Sequence, residues 1–145
     1  MTQGPTAEQK PELISLTRTR GRIRLRLTAL ALGRDLSVTL AGGDREHIGA
    51  VALSQARPSL ERGGGTSATT SVLALCGHKE DDLARALASR LAAQLEATVC
   101  VACGIHVEAI QTGELQEVAE MAEELLAELL QRLDPKQGQA NRQRC

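Results

Sequence analysis

Three histidines, His47, His78 and His106, are the side chains of this sequence that change charge nearest neutral pH. Each stands within two residues of a glycine, in "EHIGAV", "CGHKED" and "CGIHVE". A neutral imidazole donates through one nitrogen and accepts through the other, while glycine lets a backbone or a ligand come close. The combination suits hydrogen bonding to a polar ligand. All three histidines fall at predicted strand ends, where loops on a rigid scaffold concentrate binding residues. At least two of them are therefore expected to line one pocket.

Other residue groups suggest other chemistry and are weaker. Cys100 and Cys103 form a C-x-x-C pair near His106, and Cys76 precedes His78. A tetrahedral metal site draws such a pair from a turn. Here the pair lies in a strand-like run, so two thiols three residues apart point to opposite faces and read as small buried hydrophobes. No metal site is expected. "CGHKED" holds the ingredients of a nucleophile and base, but no nucleophile elbow accompanies it, and catalytic partners are defined by spatial geometry. "RGGGTSATT" (62–70) offers backbone N–H groups and hydroxyls to an anion, yet lacks the G-x-x-x-x-G-K-[ST] spacing of a nucleotide-binding loop. Glu80, Asp81 and Asp82 would occupy the positive end of the helix that follows, repelling a phosphate and capping the helix. Lys79 and His78 remain available as donors.

The elements that must position these groups follow from periodicity. "SLTRTRGRIRLRLTALAL" alternates, with Ile23, Leu25 and Leu27 on one face and arginines on the other, as a half-buried strand requires. If that strand is unbroken across Gly21, then Arg18, Arg20, Arg22, Arg24 and Arg26 form one cationic row. "GRD" (33–35) reads as a tight turn into a second strand through Leu36, Val38 and Leu40. "HIGAVAL" and "TSATTSVLALC" are further strands, separated by the loop "SQARPSLERGGG". From about residue 80 to 96 the period becomes helical, with Leu83, Leu87, Leu91 and Leu95 on one stripe. "TVCVACGIHV" is the next strand. Thr112 can cap a last helix whose stripe is Leu115, Val118, Ala122, Leu125, Leu129 and Leu133, ended by Asp134-Pro135. The order predicts an α+β fold with a largely antiparallel sheet and two main helices. Residues 1–11 and 134–145 are polar and aperiodic and are expected to be flexible tails flanking a domain over 12–133, with Cys145 incidental.

Composition excludes more than it assigns. A chain of 145 residues buries roughly 70% of its unfolded surface, enough to fold without metal or disulfide. The formal net charge of −1 gives no global attraction to nucleic acid or anionic membrane. There is no Phe, Tyr or Trp, so no base or flavin can stack on an aromatic side chain. No apolar run approaches the ~20 residues that span a bilayer, and the first residues lack the pattern of a secretory signal. The expectation is a soluble cytoplasmic protein with reduced cysteines and no nucleic-acid or membrane partner.

Several of these segments occur together in one known pattern. "GGDREHIGAVAL", "ARPSL", "SATTSVLALCGHKEDDLARALASRLAAQL" and "VCVACGIHVEAI" resemble, in order and spacing, the small LpdD-like proteins that accompany UbiD-type decarboxylases of hydroxyaromatic acids. The resemblance covers roughly residues 12 to 133. It implies a chaperone that binds reduced prenylated FMN and delivers it to the apo-decarboxylase. It further implies a fold similar to proteasome-assembly-chaperone subunits and a homodimer. Carried over by position, it makes His47, Gly49, Arg57, Ser67, Thr70, His78, Lys79 and His106 the candidate cofactor-binding residues. Arg57 and Lys79 would hold the phosphate, Ser67 and Thr70 would donate to it, and the histidines would bond the isoalloxazine edge or ribityl hydroxyls. Cys76 departs from the pattern, standing where a small residue or Pro is expected, and is read as space-filling.

Three functions compete on these grounds. A non-enzymatic flavin carrier agrees best with the segments above and with the lack of a nucleophile, metal cage or nucleotide motif. A structural subunit of the decarboxylase would dock through the arginine row or the glutamate-rich helix 113–133. A stand-alone decarboxylase or hydrolase would act through His78 and His106.

Overall fold

The arginine-rich alternation at the N-terminus folds as a hairpin. In the computed structural model, which describes residues 12–75 and 80–133, strand β1 (Leu13–Arg20) turns through Gly21 and Arg22 into β2 (Ile23–Leu32). Gly21 has φ +54°, the sign that a two-residue hairpin turn asks of its first central residue and that glycine adopts without strain. The single strand expected here is therefore two. Because Arg20 pairs with Ile23, an even position in β1 shares a face with an odd position in β2. Arg18 and Arg20 lie on the face of Ile14, Leu16, Ile23 and Leu25, whereas Arg24 and Arg26 lie on the other. The continuous cationic row does not form.

β2 continues through Gly33 and Arg34 into β3 (Asp35–Gly43), as the "GRD" turn predicts. β4 (Arg45–Pro58) and β5 (Thr66–Ala74) form a second antiparallel unit. β4 runs on to Pro58, so the first part of the expected loop "SQARPSLERGGG" is strand, with the connection confined to residues 59–65. Helix α1 (Asp81–Leu95), strand β6 (Thr98–His106) and helix α2 (Thr112–Leu133) complete the chain. The sheet order is β1-β2-β3-β6-β4-β5, and every neighbouring pair is antiparallel except β3 with β6. The fold is α+β with a mostly antiparallel sheet and two helices. β6 lies in the middle of the sheet, with Val99, Val101 and Cys103 buried under the helices and the small residues Cys100 and Ala102 on the other face, partly exposed.

Both helices lie over one face of the sheet. α1 buries Ala84, Leu87, Ala88, Leu91 and Ala92 against β4, β5 and β6, while α2 buries Val118, Met121, Ala122, Leu125, Leu126 and Leu129 beside β1 and β2. Ser54, buried in this core, bonds the Thr70 hydroxyl at 2.7 Å, and Thr70 bonds Ser89 of α1 at 2.5 Å. That chain satisfies three hydroxyls that would otherwise be costly to enclose. Among the described residues no helix covers the opposite sheet face, which shows Leu13, Leu32, Leu53 and Leu73 among serines and threonines.

The β1–β2 hairpin is clamped to α2 by charge. Arg18 reaches Glu128 at 2.5 Å, Arg20 reaches Glu120 at 2.5 Å and also Glu124, and Arg22 grips Glu114 at 2.8 Å. Hydrogen bonds from these guanidiniums hold the carboxyls of Glu114, Glu120 and Glu128 below their ordinary range. Arg26 pairs instead with Glu46 at 2.6 Å. The first helical bond of α2 runs from the Leu115 N–H to Gln111, so the cap falls one residue before Thr112, and Glu114 accepts the Gln111 N–H. The expected tails, the helix stop at Asp134-Pro135, Cys76 and Cys145 lie outside the described residues.

Candidate functional site

One end of the molecule gathers the start of β4, the end of β6 and the first turns of both helices. Arg45 pairs with His106 and Glu46 with Ile105, but the next regular pair is Ala50 with Cys103. Residues 47–49 thus face Gly104 alone, a bulge of the kind that re-aims side chains. The bulge needs the missing side chain: a Cβ on Gly104 would lie 1.7 Å from the His47 carbonyl oxygen.

The bulge turns His47 toward α1. Its Nε2 is 3.2 Å from Glu80 Oε1, and its Nδ1 is 3.3 Å from the Arg45 carbonyl oxygen. Glu80 stands just before α1 but makes no capping bond with its carboxylate, contrary to the role expected for it. The carboxylate instead accepts the Ile105 N–H at 3.4 Å and lies against Gly49, where a Cβ would come within 2.6 Å of Oε2. His47 and Glu80 side chains are 19% and 11% exposed, so the pair is sheltered from water. Burial, reinforced by the nearby Glu80 charge, pushes the Cys103 thiol up to about 12. It is no nucleophile at neutral pH. Cys100 sits on the opposite face of β6, partly exposed.

His106 is more open, with Nε2 3.2 Å from Glu108 Oε2. It lines, with Glu80, a cleft of about 590 Å³ between α1, α2 and the end of β6. Leu83 and Ala86 of α1 form one wall, Ile105 and Val107 the floor, and Leu115, Val118 and Ala119 of α2 the other wall. Leu115, expected on the buried stripe of the last helix, is 57% exposed and faces this space.

His47, Gly49 and His106 therefore come together around the bulge and the cleft. Arg57 and Ser67 lie at the other end of β4 and β5, roughly 25–30 Å away along the strand, and Thr70, paired with Ser54, lies midway, roughly 17 Å along the strand from Gly49. Arg57 donates to the Thr69 hydroxyl at 3.0 Å and stands opposite Ser67, while Thr70 is engaged between Ser54 and Ser89. His78 and Lys79 are outside the described residues; they immediately precede Glu80 in sequence. Glu80 is the site residue that sequence reasoning missed. The available signal was its place in "GHKED", directly after two candidate donors. Among the described residues no cluster of three metal-ligating side chains forms. The arrangement offers a sheltered imidazole–carboxylate pair beside an aliphatic cleft, which suits holding a ligand with a large apolar body and a polar edge.

Comparison with known proteins gives a family and a fold. The family model for the prenylated flavin chaperone LpdD-like domain matches residues 19–134. Among solved structures, a chain of a chaperone complex for yeast 20S proteasome assembly is similar with a TM-score of 0.53 and 13% identity, over 84% of this chain and 98% of that one. At that identity the likeness is one of fold. Among curated proteins, none matches.

Proposed function

The chain belongs to the prenylated flavin chaperone LpdD-like family, and from that premise we propose that it binds reduced prenylated FMN and delivers it to an apo UbiD-type decarboxylase. The observation that carries the proposal is the aliphatic cleft opening beside the His47–Glu80 pair and His106. Its size falls within the roughly 300–1,000 Å³ of ligand pockets. Leucine, isoleucine, valine and alanine walls suit a fused ring in a protein without aromatic side chains. The proposed site comprises His47, Gly49, His106, Glu80 and, preceding Glu80 in the chain, His78 and Lys79. Arg57 and Ser67 are left to the contacts they make within the β4–β5 unit, and Thr70 to its bonds with Ser54 and with Ser89 of α1.

In this reading the decarboxylation chemistry belongs to the cofactor in its acceptor enzyme. The chain itself binds, orients and shelters. His47 is held by Glu80 in one orientation, Gly49 leaves room for that carboxylate, and the helices restrict water. The protein works as a cytoplasmic homodimer. The bare sheet face supports a dimer: six strands about 4.8 Å apart and some eight residues long give roughly 750 Å² per partner, a standard interface. The alternative of a purely structural subunit loses support because Arg18, Arg20 and Arg22 are satisfied by α2 of the same chain.

Anaerobic titration with reduced prenylated FMN tests the proposal. Saturable binding, followed by activation of an apo-decarboxylase on mixing, is expected. A folded, dimeric protein that shows no saturable binding would overturn it.

A further inference from the structure

The cleft's chemistry is uneven in a way that selects which end of a ligand enters. Its walls, from Leu83, Ala86, Ile105, Leu115, Val118 and Ala119, are hydrocarbon, and its polar side chains are the carboxylates of Glu80 and Asp82 and the imidazole of His106, which is paired with Glu108. A phosphate dianion brought there would meet like charges at short range in a partly dry space. A largely apolar fused ring system, without the phosphate's double charge, would meet aliphatic surface on both sides. Ile110 and Leu115 leave apolar surface exposed at the rim, 38% and 57% respectively, which such a ring would cover. The pyrimidine edge of an isoalloxazine also carries an N–H between two carbonyls. Glu80, which already accepts one N–H from Ile105, is an acceptor of the right kind for it.

Resting on the flavin-carrier reading, we infer that the cofactor enters ring first: the fused ring system occupies the cleft between α1 and α2, and the ribityl phosphate stays outside. The reactive part of the molecule is then shielded, and the charged end is left for the acceptor enzyme to take hold of.

The test compares reduced prenylated FMN with the same compound after phosphatase treatment, titrated anaerobically by absorbance into the full chain. Ring-first binding predicts dissociation constants within about threefold of each other, since the phosphate adds little. Ala86→Phe and Ala119→Phe, both at exposed helix positions that line the cleft, should weaken both ligands at least tenfold. Ala127→Phe, exposed further along α2 and outside the cleft, should leave both unchanged. Loss of more than tenfold on removing the phosphate overturns the inference, and needs no variant. So does saturable binding unaffected by Ala86→Phe and Ala119→Phe, in which case the carrier reading stands with its ligand elsewhere. Absence of binding by either compound to the unaltered protein ends both together.

Discussion

Gly104 shows how much a single missing side chain can decide. A methyl group there would collide with the His47 carbonyl at 1.7 Å, and backbone on both sides leaves little room to yield. Gly104→Ala should lower stability by about 2–4 kcal/mol, within the range of severe single substitutions, measured as a shift of the urea midpoint. Cys103 offers a second check at this scale. Its raised pKa of about 12 means the native state holds its proton more tightly than the unfolded chain. The contribution is therefore intact below about pH 9, the ordinary thiol value, and is lost as pH rises from there toward 12. Mass spectrometry after brief alkylation at pH 8 should find Cys103 unmodified, and modified once denaturant is added. The glycine-flanked histidines were legible in sequence as a group, and His47 and His106 do lie at one end of the sheet. The role of Glu80 was not. An acid at the start of a helix has a ready local explanation, and only the bulge in a strand thirty-odd positions earlier turns that carboxylate inward.

The β1–β2 hairpin explains why the arginines do not form the single row that their spacing predicts. A two-residue turn preserves odd-even alternation in the sequence while exchanging the faces in space. Nothing in the pattern marks that reversal except one glycine. The consequence is that Arg18, Arg20 and Arg22 brace α2. Arg20→Gln should lower the melting temperature modestly, less than Gly104→Ala, with the deficit shrinking in high salt because these groups are exposed. The carboxyls of Glu114, Glu120 and Glu128 sit below their ordinary value of 4.5. Their contribution is complete above that value and fades as pH falls through the lower native values. Thermal melts of both proteins from pH 6 to pH 3 should therefore converge. Within the core, Leu91→Ala beneath α1 should cost about 2–5 kcal/mol. The helices were readable because the fourfold leucine spacing is a local signal, whereas the extent of β4 to Pro58 was hidden by turn-favouring residues that pair with β5 only through tertiary contact.

For the molecule as a whole, the asymmetry of the sheet is the dominant fact. One face holds the entire described core, and the other presents Leu32, Leu53 and Leu73 to solvent. Under the proposed homodimer, Leu53→Lys and Leu73→Lys together should yield a monomer in sedimentation velocity without unfolding it. An unchanged dimer would locate the interface elsewhere. The α+β class followed from the switch between two-residue and 3.6-residue periods along the chain. The strand order did not, because no local feature announces that β6 slots between β3 and β4. That placement has a bearing on biosynthesis. Until residues 98–106 leave the ribosome, the β1–β3 meander and the β4–β5 hairpin are separate pieces, each with an unzipped edge. Gly104 and His106 arrive on the very segment that joins them, so a nascent chain can form the bulge at His47 only when its two halves are sewn together, and the cleft only once α2 has followed.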